Sequence, residues 1–157
     1  MMPETMTLEQ YKNLRSGRRK RNKFGARKTM YKGVRYDSKM EAAYAAELDK
    51  QLKYGNILSV ERQPHFEILK SGLTEWGMSY NNVIYTPDFL VYYANGNRAA
   101  IEVKGKETRD YLVRKKLFYA AYPQIPLRVV TYTKKTKWIE LDDLKKLNRK
   151  RRKAVGK

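Results

Sequence analysis

The chain contains no cysteine, which removes disulfide frameworks and thiolate zinc sites from consideration. Its single histidine, His65, removes centres built from several imidazoles. No apolar run is long enough for a signal core or a membrane span, so a soluble cytoplasmic protein with no membrane-embedded segment is expected. Acids are scarce beside bases: 16 Asp and Glu stand against 35 Lys and Arg, a formal net charge of +19. That imbalance is silent about fold and argues for a polyanionic partner, nucleic acid first and an anionic membrane surface second. No internal repeat is visible.

What is present suffices for a folded body. With 157 residues, 41% of them hydrophobic, the chain has room for one domain with a modest core rather than a disordered polycation. The charge is uneven. Lys12–Lys28 holds nine cations and Lys145–Lys157 eight, while residues 29–144 keep 18 against 14 acids. The pattern describes a basic N-terminal arm over 1–28, a nearly balanced globular body over 29–144 and a basic C-terminal tail over 145–157. Two readings of the arms stand: solvated tails, or phosphate contacts without sequence choice whose strength falls steeply with salt.

Met1–Arg15 is weakly helical, and Ser16–Lys28 reads as a flexible basic approach. Met30–Tyr36 fits a short hairpin around Lys32-Gly33. Met40, Tyr44, Leu48 and Leu52 recur every four residues behind Ser38, a good N-cap, and before Gly55-Asn56, a good stop. Ile57–Leu69 is one strand broken at Pro64, or two short ones. Ser71–Asn82 is turn-rich, and Tyr85–Lys106 reads as a hairpin around Asn95-Gly96. A helix over Thr108–Tyr122, a strand over Leu127–Thr133 and a short helix over Ile139–Leu147 complete the chain. This order predicts an α/β fold, a mixed central sheet flanked by helices, with the middle helix crossing over to a parallel strand.

The hairpin carries the chemistry. Alternation along a strand puts Glu102 and Lys104 on one face and Ile101 and Val103 on the other. A turn at Asn95 or Gly96 brings Asp88 opposite residues 102–104. Two adjacent carboxylates repel unless a proton or cation lies between them. Mg²⁺ suits such a pair because it takes few protein oxygens and keeps waters, and Mn²⁺ substitutes readily. The Val103 carbonyl offers a further oxygen, and Lys104 can orient water or neutralise charge on a transferring phosphoryl group. A surface salt-bridge ladder would use the same letters, and acid-x-Lys recurs at Asp37-Ser38-Lys39 and Asp143-Leu144-Lys145. Glu41 has two readings as well: the N3 partner of Ser38 in a capping box, or a third acid reaching the metal.

Pro87-Asp88 followed by Glu102-Val103-Lys104, with Glu41 on a preceding helix, resembles the PD-(D/E)XK nuclease superfamily. Lys32–Ala42, Glu61–Phe66, Tyr85–Phe89 and Lys115–Phe118 look like a small phage-encoded endonuclease branch, similar also to junction-resolving enzymes. The resemblance covers about residues 24–133. It implies a restriction-endonuclease-like fold, with residues 29–144 as the nuclease domain. It further implies metal ligation by Asp88 and Glu102, a catalytic Lys104, and an acidic helix residue, Glu41. Gln63 lies near a polar active-site position of relatives. The function implied is Mg²⁺-dependent, structure-selective cleavage of branched DNA by a homodimer, such as Holliday junction resolution, in host cytoplasm if phage-encoded. The alternatives are a nuclease of the same chemistry with a nicking or degradative task, and a basic nucleic-acid-binding protein whose acids are structural. A ribosome- or RNA-associated factor is a weaker third. Candidate phosphate contacts are Arg18, Arg19, Lys20, Arg21, Arg27, Lys28, Lys106, Lys115 and Lys116, with Thr108, Arg109 and Arg114 on the same helix as the last two. An exposed amphipathic face explains that helix equally well. His65 reads as a polar strand residue rather than a ligand.

Overall fold

The structure is a computed structural model that describes residues 28–155. The expectations for Met1–Arg15, for the basic approach up to Arg27, and for Arg18, Arg19, Lys20, Arg21 and Arg27 as phosphate contacts lie outside the described residues. Strands β1 (Thr29–Tyr31) and β2 (Val34–Tyr36) form the expected small hairpin, turning through Lys32 and Gly33 at positive φ. Helix α1 (Lys39–Lys53) follows, with Ser38 as its cap. It buries Ala42, Tyr44, Ala45 and Leu48, so the four-residue spacing marks its inner face.

Next come β3 (Ile57–Arg62) and β4 (Phe66–Leu69), two strands in different sheets. Gln63, at φ 47°, and the buried Pro64 turn the chain from one to the other. The turn-rich stretch contains a two-stranded ribbon, β5 (Gly72–Leu73) with β6 (Ser79–Tyr80), before β7 (Val83–Tyr85). Tyr85 therefore does not open the site hairpin; it pairs with Phe66 in a β4–β7 ribbon. The hairpin itself is β8 (Phe89–Tyr93) and β9 (Arg98–Val103). Helix α2 (Arg109–Ala121) leads to β10 (Leu127–Thr133), which lies parallel to β9 as the crossover requires.

The end of the chain differs from expectation. Ile139 is in a strand, β11 (Lys137–Glu140), not a helix. Thr133 and Thr136 close a tight turn that folds Trp138 and Ile139 back along β10 as an antiparallel edge. Helix α3 (Leu141–Val155) begins only there, with Asp142 and Asp143 in its first turn, and it continues through residues expected to be tail.

The result is a mixed α/β fold with a five-stranded central sheet, order β11-β10-β9-β8-β3, and three helices among the described residues. Both faces of the sheet are covered, so its central strands alternate between two apolar layers. Phe89, Val91, Ala99, Ile101 and Val103 meet α1 on one side. Leu90, Ala100, Leu127 and Val129 meet α2, the start of α3 and the β4–β7 ribbon on the other. Among the described residues no helix is long and apolar enough to cross a membrane.

The second layer is held largely by aromatic rings. Phe118 of α2 is fully buried, with ring centroids of Phe66, Tyr85 and Tyr122 at 5.1, 5.5 and 5.5 Å. Truncation there leaves a cavity between α2 and the ribbon. Phe118→Ala is expected to lower unfolding free energy by about 3–5 kcal/mol, read as a shift of the urea midpoint. An unchanged midpoint would show that the ring cluster is not the core of this layer.

Candidate active site

Pro87 is buried and leads the chain into β8, so Asp88 stands one residue before the strand. Phe89 pairs with Ile101, and continuing that register by one residue sets Asp88 opposite Glu102. The main-chain N–H of Val103 donates to Asp88 Oδ2 at 2.7 Å, which ties the start of β8 to the end of β9. Glu102 is 8% exposed, on the face of β9 away from α1. Both of its oxygens have partners: the Tyr85 hydroxyl donates to Oε2 at 2.9 Å, and Lys104 Nζ donates to Oε1 at 2.7 Å. The Lys104 ammonium also sits 4.3 Å from the ring centre of Tyr111.

These contacts set the protonation states. Burial and the charge of Glu102 push the Asp88 carboxyl up to about 8, with Glu41 adding to the rise and the Val103 N–H and Lys104 opposing it. At neutral pH the metal-free Asp88 carboxyl therefore retains its proton. Burial, with the Glu102 charge, raises the Tyr85 hydroxyl far above its ordinary range, so it remains a donor.

The residues fit a hard divalent cation. The donors at hand are the two carboxylates from adjacent strands and main-chain oxygen at Val103, an all-oxygen set of the kind Mg²⁺ uses with water completing its shell. Asp88 Oδ1 accepts no hydrogen bond among the described residues, and a carboxyl with so raised an affinity for a proton has one for a cation too. Among the described residues no three His, Cys, Asp or Glu side chains form a ready-made metal cluster.

Glu41 does not join the pair directly. Its N–H donates to Ser38 Oγ at 3.1 Å, while its carboxylate accepts from the Ser38 hydroxyl at 2.9 Å and from the Asp37 N–H at 3.2 Å. The capping reading thus accounts for both of its oxygens. Burial raises its carboxyl, the bonds from Ser38 and Asp37 oppose that, and the charges of Asp37 and Glu102 raise it further. Glu41 is close enough for Glu102 to be felt. Gln63 also lies beside the site, its N–H donating to the Asp88 carbonyl at 3.0 Å. His65 does not reach it; its Nδ1 is 3.0 Å from Thr86 Oγ1.

The candidate phosphate contacts divide. Lys106, Lys116, Arg109 and Arg114 are exposed, and Lys28 is exposed with Asp37 4.0 Å away. Lys115 departs from the expectation. Its side chain is 12% exposed and its Nζ meets Glu107 at 2.9 Å and Asp142 at 3.7 Å. Lys145 of α3 binds the other oxygen of Glu107. Burial alone would raise the Glu107 carboxyl, but the hydrogen bonds from Lys145 and Lys115 hold it below its ordinary value. Lys115 is therefore a cation that binds α2 to α3 and to the loop leaving Lys104, not a free one.

Neither Tyr85 nor Tyr111 stands out in the sequence as a site residue, although Tyr85 opens the Tyr85–Phe89 segment. Tyr85 and Tyr111 are two among 13 tyrosines. Only the pairing of β7 with β4 and the placing of α2 against the sheet bring them under Glu102 and Lys104. An alternation test on Val83-Ile84-Tyr85 would have marked Tyr85 as inward-facing.

Residues 21–138 match the family described as "Protein of unknown function (DUF1064)", and the chain belongs to that family. The match spans every residue of the site, from Glu41 to Tyr111, and stops before α3. No curated protein matches the chain significantly.

The raised Asp88 carboxyl has a sign that can be checked. Its folded value lies above the ordinary 3.8, so the metal-free folded state binds more protons than the unfolded chain between about pH 4 and pH 8. The stability it contributes is full below that window and is lost as pH rises through 8. In EDTA, the melting temperature of the wild type is expected to fall relative to Asp88→Asn from pH 5 to pH 9. Parallel curves for the two proteins would contradict the assignment.

Proposed function

We propose that this protein is a Mg²⁺-dependent endodeoxyribonuclease of the PD-(D/E)XK type, with a restriction-endonuclease-like fold. The observation that carries the reading is the pairing of Asp88 with the buried Glu102, with Lys104 2.7 Å from Glu102, at one end of a mixed sheet. The net charge of +19 supports a polyanionic substrate.

The chemistry proposed is hydrolysis: water adds to phosphorus and the bond to the leaving oxygen breaks. Asp88 and Glu102 would hold the Mg²⁺, which would supply Lewis acidity toward a phosphoryl oxygen and lower the pKa of a bound water. Tyr85 holds Glu102 in one rotamer by its hydrogen bond. Lys104 neutralises Glu102 in the resting state; once that charge is met otherwise, its ammonium is free to donate to a phosphate oxygen. Mn²⁺ is expected to substitute for Mg²⁺.

For the substrate we propose branched duplex, as for a junction resolvase, cut by a twofold homodimer that makes paired incisions. Shape rather than base identity would select it, with exposed cations such as Lys106 and Lys116 on the backbone. A second reading, a basic binding protein with structural acids, is favoured by one observation: Lys104 and the cap already satisfy Glu102 and Glu41.

A labelled four-way junction beside linear duplex separates these readings. The wild type is expected to cut the junction with Mg²⁺ or Mn²⁺ and not in EDTA. Glu102→Gln is expected to lose about 100-fold or more of that rate while binding is kept. Equal cutting of linear duplex would remove the resolvase assignment. Inertness on every branched substrate with both metals would leave the binding protein.

A further inference from the structure

Away from the active site, the large apolar side chains that face solvent gather in one place. Of the thirteen exposed among the described residues, six fall within residues 69–84: Leu69, Leu73, Trp76, Met78, Tyr80 and Ile84. We propose that the β5–β6 ribbon, with the strand ends leading into it, joins two copies of this chain, the two ribbons lying antiparallel about a twofold axis. This deepens the homodimer of the nuclease reading above and rests on that reading for its consequence in cutting.

The ribbon is built but uncovered. The Thr74 N–H donates to the Met78 carbonyl at 2.8 Å and the Met78 N–H to Thr74 Oγ1 at 2.9 Å, with Gly77 at φ 82° in the turn. Tyr80 lies over Gly72, where a Cβ would clash with the tyrosine hydroxyl. Gly72 pairs with Tyr80 and Leu73 with Ser79, so Leu73 and Tyr80 are on opposite faces. No third strand joins the pair, and Leu73, Trp76 and Met78 remain 68%, 78% and 63% exposed. A two-stranded ribbon has little stability of its own and gains from a cover. The six side chains expose roughly 700 Å², near the ~800 Å² that each partner gives to a standard interface and more than monomers commonly show.

Charge selects the occupant. Residues 69–84 carry only Lys70 and Glu75, no net charge, in a chain of +19. Nucleic acid and anionic membranes are met by clustered Lys and Arg, which the ribbon lacks. Two copies of so cationic a chain repel elsewhere and can meet where the surface is neutral. The two charges are also self-complementary. Lys70 is at the base of the ribbon and Glu75 at its tip, so antiparallel ribbons set each Glu75 toward the Lys70 of the second copy. Position agrees as well. Tyr85 ends β7 against Glu102, while Leu69 and Val83 are at the other end of the β4–β7 pairing, so the ribbon points away from the site and leaves it open.

The test is sedimentation of the full chain, purified free of nucleic acid. At about 100 µM the wild type is expected at twice the 18.6 kDa chain mass. Raising salt from about 0.1 M to about 0.5 M is expected to tighten the dimer by screening the two net charges; loosening would mark a polyanion bridge and overturn the proposal. Leu73→Glu and Trp76→Glu are each expected to weaken association about 100-fold. Circular dichroism should stay unchanged, since both side chains are exposed in the single chain. Lys70→Glu is expected to weaken the dimer and Lys70→Glu with Glu75→Lys to restore it; no restoration would overturn the antiparallel arrangement. A monomeric wild type would overturn the interface, as would a dimer that Leu73→Glu and Trp76→Glu leave intact. In the latter case, lost affinity for a four-way junction would make the ribbon a nucleic-acid contact, and lost affinity for anionic-lipid vesicles a membrane contact. With Mg²⁺, Leu73→Glu is expected to nick a junction where the wild type makes paired cuts, and paired cuts by the monomeric variant would overturn that consequence. If the wild type cuts nothing, the nuclease reading fails and sedimentation still decides the interface.

Discussion

The hydrogen bond from the Val103 N–H to Asp88 Oδ2, 2.7 Å long, is the contact on which the site depends. It places a carboxyl, not a main-chain carbonyl, at the last rung of the β8–β9 ladder. Asp88 is thereby held against Glu102, and two acids that would repel in water are kept together by the strands that carry them. Every other property of the site follows from that enforced proximity. Asp88 retains its proton up to about pH 8, and Glu102 draws Lys104 and Tyr85 onto its oxygens. A structural ion pair would need no such crowding, because one acid and one lysine would suffice.

Around this centre the basic residues are not equivalent. Glu107, at the end of the loop that leaves Lys104, is clasped by Lys115 from α2 and Lys145 from α3. These cations fix the geometry of the loop, while Lys106, Arg109, Arg114 and Lys116 are exposed. The later turns of α3 carry Arg149, Lys150, Arg151, Arg152 and Lys153, all exposed, and the helix is anchored by Leu141 and Leu144 in the second layer. What the sequence presents as a charged tail is thus a helix rooted beside the site by the Glu107 contacts.

The legible parts of this arrangement were those governed by local rules. Asn95-Gly96 determines a hairpin register, and the observed Phe89↔Ile101 pairing agrees with it. Four-residue spacing revealed the inner face of α1, and the proline-bounded run Leu127–Thr133 emerged as β10 with the bounds expected. The parts that stayed hidden depend on long-range packing. Tyr85 reads as part of the hairpin until β7 is seen to pair with β4, and Tyr111 and Lys115 read as a helix surface until α3 and the sheet cover them. Ile139 reads as the start of a helix because Leu141, Leu144 and Leu147 follow it at a spacing of three, yet the turn at Thr133–Thr136 makes it part of an edge strand. Glu41 sits between these cases, since a cap explains its contacts and only its charge coupling to Glu102 links it to the site.

The most direct measurement is calorimetric titration of the full-length protein with Mn²⁺ at pH 7 in two buffers of different ionisation enthalpy. If Asp88 and Glu102 form a metal centre, binding releases up to about one proton, the one that Asp88 holds in the metal-free state, and Asp88→Asn abolishes the binding heat. Absence of binding by the wild type, or equal binding by Asp88→Asn with no proton released, would contradict the account.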